Sequence, residues 1–361
     1  MPPFDRTPSG SATPGPARKD VVHLINPLWD SNGGGDWRTL EMYRMLRVRC
    51  TVDLWSRFTP APEFARRCPV RLIRPWLGRF PIGGTFVFVG AYFRIGHWFK
   101  ASLPQRIILI YNTFQPDRLE KALGRLRAWH KAPVELVYTS PLLRKLSPYP
   151  GPVIESPVDI TRFVPRTGAS ATERFCVGRL SRDIATKHHD HDHEVYSALA
   201  SAGAEVRIMG GTCLSSRIRG SAALSLMPAG AMSATEFLQG LDCFYYRTSD
   251  RWLEAYGRVV FEAMACGLPI VCGRRGGYAD YIMHGVNGFL FDTSAQAVEL
   301  ILMLKGDPEL RARIGRAARL TVENMYRGRS WQQKQAFFLS ADRSVAALTA
   351  GRRPADLPLL R

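Results

Sequence analysis

RWLEAYGRVVFEAMACGLPIVCG, residues Arg251 to Gly273, changes character twice. A polar, irregular approach ends at Gly257, and the run Val259 to Cys266 then has helical spacing with small residues on its packing side. Pro269 stops that helix, and Ile270, Val271 and Cys272 read as a buried parallel strand. A loop that enters a helix at a glycine presents unpaired backbone N–H groups and the positive end of a helix dipole, an arrangement that binds phosphate. Glu254 and Glu262 stand eight residues apart on either side of it. Carboxylates would repel a phosphate directly. Beside an anion site they make better acceptors for hydroxyl groups attached to the phosphate, a sugar on one side and a ribose on the other. Taken singly, Glu262 also reads as a paired helix carboxylate and Glu254 as a solvated loop residue.

The run EAYGRVVFEAMACGLPIV resembles the E-x7-E signature of the retaining nucleotide-sugar glycosyltransferases of family 4. The resemblance implies an α/β chain of the GT-B arrangement, two facing Rossmann-like doubly wound domains with an interdomain cleft. It also implies that Glu254 meets the donor sugar and Glu262 the donor ribose, with Ala255, Tyr256, Gly257, Arg258 and Val259 lining the donor between them. In VGRLSRDIATKHH, Arg179 and Lys187 resemble the family's Arg and Lys that neutralise the donor diphosphate, although the spacing is longer here and Arg182 is a substitute candidate. Fixed cations at a cleft stabilise a departing diphosphate more in the transition state than in the ground state. The implied catalytic set is therefore Arg179, Lys187 and Glu254. A solvated basic loop is the structural alternative for this stretch.

Strand-like and helix-like runs alternate along the whole chain, which predicts parallel sheets with ligands at the carboxyl ends of the strands. In the first half, strands are expected at Val21 to Asn26, Thr51 to Trp55, Val70 to Ile73, Thr85 to Gly90, Arg106 to Asn112 and Val134 to Ser140. The proline-rich stretch from Pro150 to Arg166 breaks the pattern. It places a linker over 151–168 between a first domain over 21–150 and a donor-binding domain over 169–330. Residues 331–361 hold a last helix, expected to cross back onto the first domain, and residues 1–20, with five prolines and no apolar run, read as a disordered tail. Ser233 with Glu236 and Thr293 with Gln296 have capping-box spacing, and Asp307-Pro308 opens a further helix.

Gly33, Gly34 and Gly35 follow the first strand. They lack the G-x-G-x-x-G spacing of a dinucleotide fold, and Asp53 sits in mid-strand where a ribose acid would be wanted at the strand's end. In the resembling family such a loop approaches the donor diphosphate across the cleft. Many relatives carry a His after the fourth strand, where this chain has Gly90, Ala91 and Tyr92, and Asn112 stands where relatives often have another. Tyr92, His97 and Asn112 are therefore the candidates for orienting the sugar or the acceptor. The run His188 to His193 invites a metal reading. Neighbours at one-residue offsets point apart on a helix, so a polar helix start is the better reading, and no metal or other cofactor is expected.

The seven cysteines form no C-x-x-C pair and sit mostly in apolar runs, as in a reducing compartment. The formal charge of +18 is uneven: residues 1–150 hold 23 Lys/Arg against 10 Asp/Glu. No nucleic-acid module signature accompanies it, which leaves an anionic membrane surface or an anionic ligand. Bases and aromatics interleave from Arg71 to Lys100, with Trp76 and Trp98 as interfacial anchors. The longest apolar runs fall far short of the roughly 20 residues that span a bilayer. The expectation is a cytoplasmic, peripheral enzyme whose partners are a nucleotide-sugar donor and a saccharide or lipid-linked acceptor. A catalytically silent nucleotide-sugar-binding module, and a phosphorylase or epimerase on the same fold, are the alternatives.

Overall fold

The computed structural model describes residues 21–168, 174–218 and 222–339. The expected tail over 1–20 and everything beyond 339 lie outside them. The first half runs β1 (Val21–Ile25), α1 (Gly34–Leu46), β2 (Thr51–Ser56), α2 (Pro62–Ala65), β3 (Val70–Leu72), β4 (Thr85–Val89), α3 (His97–Ala101), β5 (Arg106–Tyr111), α4 (Pro116–Trp129), β6 (Val134–Tyr138) and α5 (Pro141–Lys145). The second runs β7 (Cys176–Leu180), α6 (Asp192–Ser201), β8 (Glu205–Met209), β9 (Leu224–Met227), α7 (Ala234–Gln239), β10 (Cys243–Tyr246), α8 (Arg258–Ala265), β11 (Ile270–Gly273), β12 (Phe289–Phe291), α9 (Ser294–Gly306), α10 (Pro308–Tyr326) and α11 (Gly328–Ala336).

Each half builds one six-stranded sheet, in the orders β3-β2-β1-β4-β5-β6 and β12-β11-β10-β7-β8-β9. Every strand pair is parallel; in the first sheet Leu24 lies between Leu54 and Val87. The sequence pattern explains the order. VVHLI of β1 and RIILIY of β5 are buried along their whole length, as strands covered on both faces must be, whereas the edge strands β3 and β9 are only partly covered. Both capping boxes form, at Ser233 with Glu236 and at Thr293 with Gln296, and Asp307 accepts the Leu310 N–H ahead of the Pro308 helix start. Between β11 and β12 the chain makes a single 3₁₀ turn, Ala279–Tyr281.

One apolar cluster runs from the first domain (Leu28, Leu40, Leu54) through the linker (Ile154, Ile160, Phe163) into the second (Val260, Phe261, Met264). The outer faces of the two sheets carry separate clusters. Arg319 of α10 ties the linker down by donating to the carbonyls of Phe163 and Ala265, both at 2.6 Å, and of Ile160 at 3.1 Å. Beyond α11 the chain returns to the first domain, where Arg106 of β5 donates to the Phe337 carbonyl and covers the Phe337 ring at 4.5 Å. Lys334 pairs with Glu155 of the linker at 2.6 Å.

Candidate active site

The carboxyl ends of both sheets face a shared cleft of about 1120 Å³, lined from both halves and from the linker. Two helices start on it. Gly33 caps α1 and Gly257 caps α8; neither uses a side chain as cap, so the first backbone N–H groups of each remain available. Gly257 has φ of 77°, and a Cβ there would come 2.5 Å from Tyr278 Cδ1, so both backbone and space require glycine. Gly35 is close-packed as well, since a Cβ would lie 3.1 Å from Asn112 Nδ2.

Glu254 and Glu262 flank the α8 start as the spacing predicts, and both line the cleft. The Glu254 carboxylate lies 2.5 Å from Lys187 Nζ and accepts the Tyr246 hydroxyl at 2.7 Å. Burial pushes its pKa up, but the Lys187 charge and these hydrogen bonds outweigh burial and hold it below the ordinary value. Glu262 lies 2.9 Å from Arg258 one turn earlier, and burial leaves its pKa raised. The peptide between the two acids is fixed from both domains. Gly277 N–H donates to the Glu254 carbonyl at 2.8 Å, and the Ser140 hydroxyl of the first domain donates to the Ala255 carbonyl at 2.6 Å. Tyr256 and Ala255 line the cleft; Tyr256 also stacks on Phe261 and meets Tyr326 hydroxyl to hydroxyl, and Tyr326 in turn donates to the Ser156 carbonyl. Arg258 and Val259 line the cleft at the first turn of α8.

The structure corrects three expectations. Arg179 does not reach the cleft. Its side chain is fully buried, 3.2 Å from Asp192 Oδ2, and it also donates to the carbonyls of Arg247 and Lys187 and lies 4.8 Å over the Tyr246 ring. The cause is Asp192, a wholly buried carboxylate that also accepts from Tyr245 at 2.7 Å and pairs with Arg247 at 2.8 Å. A buried anion holds the nearest guanidiniums. Arg182 lines the cleft instead, 3.7 Å from Asp30 of the first domain. His97 opens α3 on the outer side and packs edge-on against Trp129 at 5.6 Å, away from the residues that line the cleft. Trp98 is 5% exposed and packs with Phe80 and Phe99, so it cannot anchor the chain in an interface.

Tyr92, Asn112 and the glycine loop Gly33 to Gly35 do line the cleft. Arg118 covers the Tyr92 ring at 4.2 Å. The histidines of the His188 to His193 run are occupied separately: His188 with the Gly210 carbonyl, His189 with Asp250, His191 with Glu194, and His193 with the Asp190 carbonyl. Among the described residues no group of three His, Cys, Asp or Glu side chains is placed to hold a metal ion. Sequence reasoning missed Trp37, Arg38, Arg162 and Trp252, which also line the cleft. Trp252 stands inside the opening stretch, 5.0 Å from Lys187 Nζ, and could have been found there. Nothing in sequence separates Arg38 or Arg162 from other basic residues of a helix and a linker.

Residues 230–321, which include both glutamates, match the model of the family described as glycosyl transferases group 1. Two curated relatives match over 95 and 77 residues. The spore coat protein SA of Bacillus subtilis is 37% identical over 26% of this chain and 24% of its own length. The N-acetyl-alpha-D-glucosaminyl L-malate synthase of Bacillus anthracis is 42% identical over 20% of each. The matched stretch thus spans a quarter or less of these relatives. At the level of fold the likeness is broader. The Anabaena protein HepE, in complex with UDP-glucose, superposes with a TM-score of 0.69 at 15% identity, over 89% of this chain and 100% of that one. The fold is GT-B: α/β, with two parallel six-stranded sheets.

Proposed function

We propose that this protein is a retaining glycosyltransferase that moves a sugar from a nucleotide diphosphate sugar to a saccharide acceptor. The observation that carries the reading is the pair Glu254 and Glu262 on either side of the glycine-capped start of α8, in a cleft between two doubly wound sheets. Anionic phosphate suits the helix start, and carboxylates held beside it are acceptors for sugar and ribose hydroxyls. In this reading the bond between the anomeric carbon and the diphosphate oxygen breaks, and the acceptor oxygen bonds to that carbon from the same face. The acceptor's proton passes to the leaving phosphate oxygen. Lys187, Arg182 and the N–H groups of α8 would hold the departing charge without a metal or other cofactor. The family match over residues 230–321 and the UDP-glucose bound by HepE, a fold neighbour, support a nucleotide-sugar donor.

The acceptor in this reading is a saccharide, lipid-linked and reached from the cytoplasmic face of an anionic membrane. Supporting it are the basic first half and the exposed Trp76. No helix among the described residues is long and apolar enough to cross a membrane. The test is a thermal-shift screen against nucleotide sugars, followed by turnover of any hit. Release of free nucleoside diphosphate supports transfer; release of sugar phosphate or an isomerised donor points to a phosphorylase or an epimerase. Binding with no turnover of any donor in the presence of saccharide acceptors would leave a silent binding module. Glu262→Ala should weaken nucleotide binding by about tenfold or more, since a hydrogen bond to a charged acceptor is worth roughly 1.5 to 3 kcal/mol.

A further inference from the structure

We infer that Arg38 of the first domain and Arg258 of the second together seat an anionic group, phosphate in its chemistry, on the linker side of the cleft. The proposal rests on the glycosyltransferase reading only for the source of the anion. Arg38 lies in α1 and is 1% exposed, yet it lines the cleft. Its Nη2 donates to the Ile154 carbonyl at 2.9 Å, while Nε and Nη1 have no acceptor among the described residues. Arg258, the first residue of α8, is 9% exposed. Its Nε lies 2.9 Å from Glu262 Oε1, and its Nη1 has no hydrogen-bond acceptor among the described residues. Glu262 therefore holds the Nε edge of the guanidinium while its buried Nη1 stays unpaired.

Buried guanidiniums with unpaired donors cost several kcal/mol, and two of them near one another cost more. Burial and, to a lesser degree, the Arg258 charge lower the Arg38 pKa to about 10 against the opposing pull of Tyr256, Tyr326 and Glu155. Glu155 and Glu262 answer part of this charge, and the unpaired donors are what remain. Arg258 and Arg162 both stand over the Trp37 ring, at 5.8 and 5.5 Å, and Arg162 has no ion pair among the described residues. Planar guanidiniums with free N–H pairs are the matching donors for phosphate oxygens, which they take two at a time. One anion that accepts from both arginines would satisfy the donors, cancel the repulsion and tie one domain to the other. With Arg179 committed to Asp192, these two residues add to the guanidinium charge that Arg182 brings to the cleft.

The anion has two candidate sources, the donor's diphosphate and an acid group carried by the acceptor. The experiment compares the full chain with Arg38→Met and Arg258→Met by titration calorimetry, using inorganic pyrophosphate, a nucleoside diphosphate and its parent nucleoside. Each variant should weaken pyrophosphate binding by about tenfold or more, as loss of charged hydrogen bonds does. The nucleoside should bind unchanged to Arg38→Met. If the nucleoside diphosphate weakens in step and competes with pyrophosphate, the donor is the source. If its affinity holds, and pyrophosphate still binds to nucleotide-saturated protein through Arg38, the seat stands and belongs to the acceptor. Arg38→Met should melt no lower than the parent without ligand, because it removes a buried guanidinium with two unpaired donors. Should it fail to fold, Arg38→Lys keeps the charge without the fork and should show the same loss of pyrophosphate binding. Unchanged pyrophosphate and nucleotide affinity in folded variants would overturn the proposal even if the protein transfers sugar. Arg38-dependent pyrophosphate binding with no turnover of any donor would instead sink the enzymatic reading and leave the seat.

Discussion

Arg179 shows how a residue can carry a recognisable pattern and still be used for something else. Its position beside Gly178 and before Lys187 points to diphosphate, but the carboxylate that captures it is thirteen residues further along the chain, inside a run read as a polar helix start. Burial of Asp192 depends on tertiary packing between α6 and β10, and sequence periodicity does not report it. Arg179→Ala should therefore act on stability. Breaking a buried pair costs about 3 to 5 kcal/mol, which urea unfolding would read directly. A variant of parental stability that had lost only turnover would restore Arg179 to the chemistry.

Asp36 gives a second test at the same scale. It lies in the first turn of α1, accepts the Asp30 N–H at 2.9 Å, and burial raises its pKa from 3.8 to about 6. An acid whose folded pKa is raised holds its proton more tightly when folded, so its relative stability is full below pH ~4 and is lost as pH rises toward ~6. The loss at neutral pH is roughly 3 kcal/mol at 1.36 kcal/mol per unit. His188 is lowered to about 4, chiefly by burial, and works in the opposite sense over an overlapping range. The informative quantity is the difference between proteins: Asp36→Asn should gain on the parent steadily between pH 4 and 6 and then hold its advantage. A constant difference across that range would mean that Asp36 titrates normally.

At the scale of elements, α8 and its flanking strands were legible because their signals are local. A glycine, an apolar period and a proline fix the start, the buried face and the stop of the helix within a short span. Gly257→Ala would place a Cβ against the Tyr278 ring and force a left-handed backbone onto an L residue, at about 1 to 2 kcal/mol for the backbone alone. The clash would also turn the helix start away from the cleft, so nucleotide affinity should fall more than unfolding stability. Binding that survived intact would separate the helix start from the anion. The small helices α2, α3 and α5 were not legible: each has four or five residues, too few for a period to show. The same shortness hid His97, whose place on α3 turns it outward against Trp129.

Across the whole molecule, charge could be counted from sequence but exposure could not. Trp76 and Trp98 look alike in a basic, aromatic stretch, yet Trp76 is 75% exposed with Arg74 5.7 Å over its ring and Trp98 is buried under Phe80. Sedimentation with anionic vesicles at low salt should carry the protein down, Trp76→Ala should weaken that binding, and added salt should release it. Equal binding to neutral vesicles, or none, would confine the basic face to solubility.

The apolar cluster that passes from Leu28 through Ile160 to Phe261 bears on descent as well as folding. A graft that joined this second half to a relative's first half at the linker would cut a seam of side chains fitted to one another, because the chain's visible joint does not coincide with a gap in its packing. Substitutions along that seam are then felt on both sides at once.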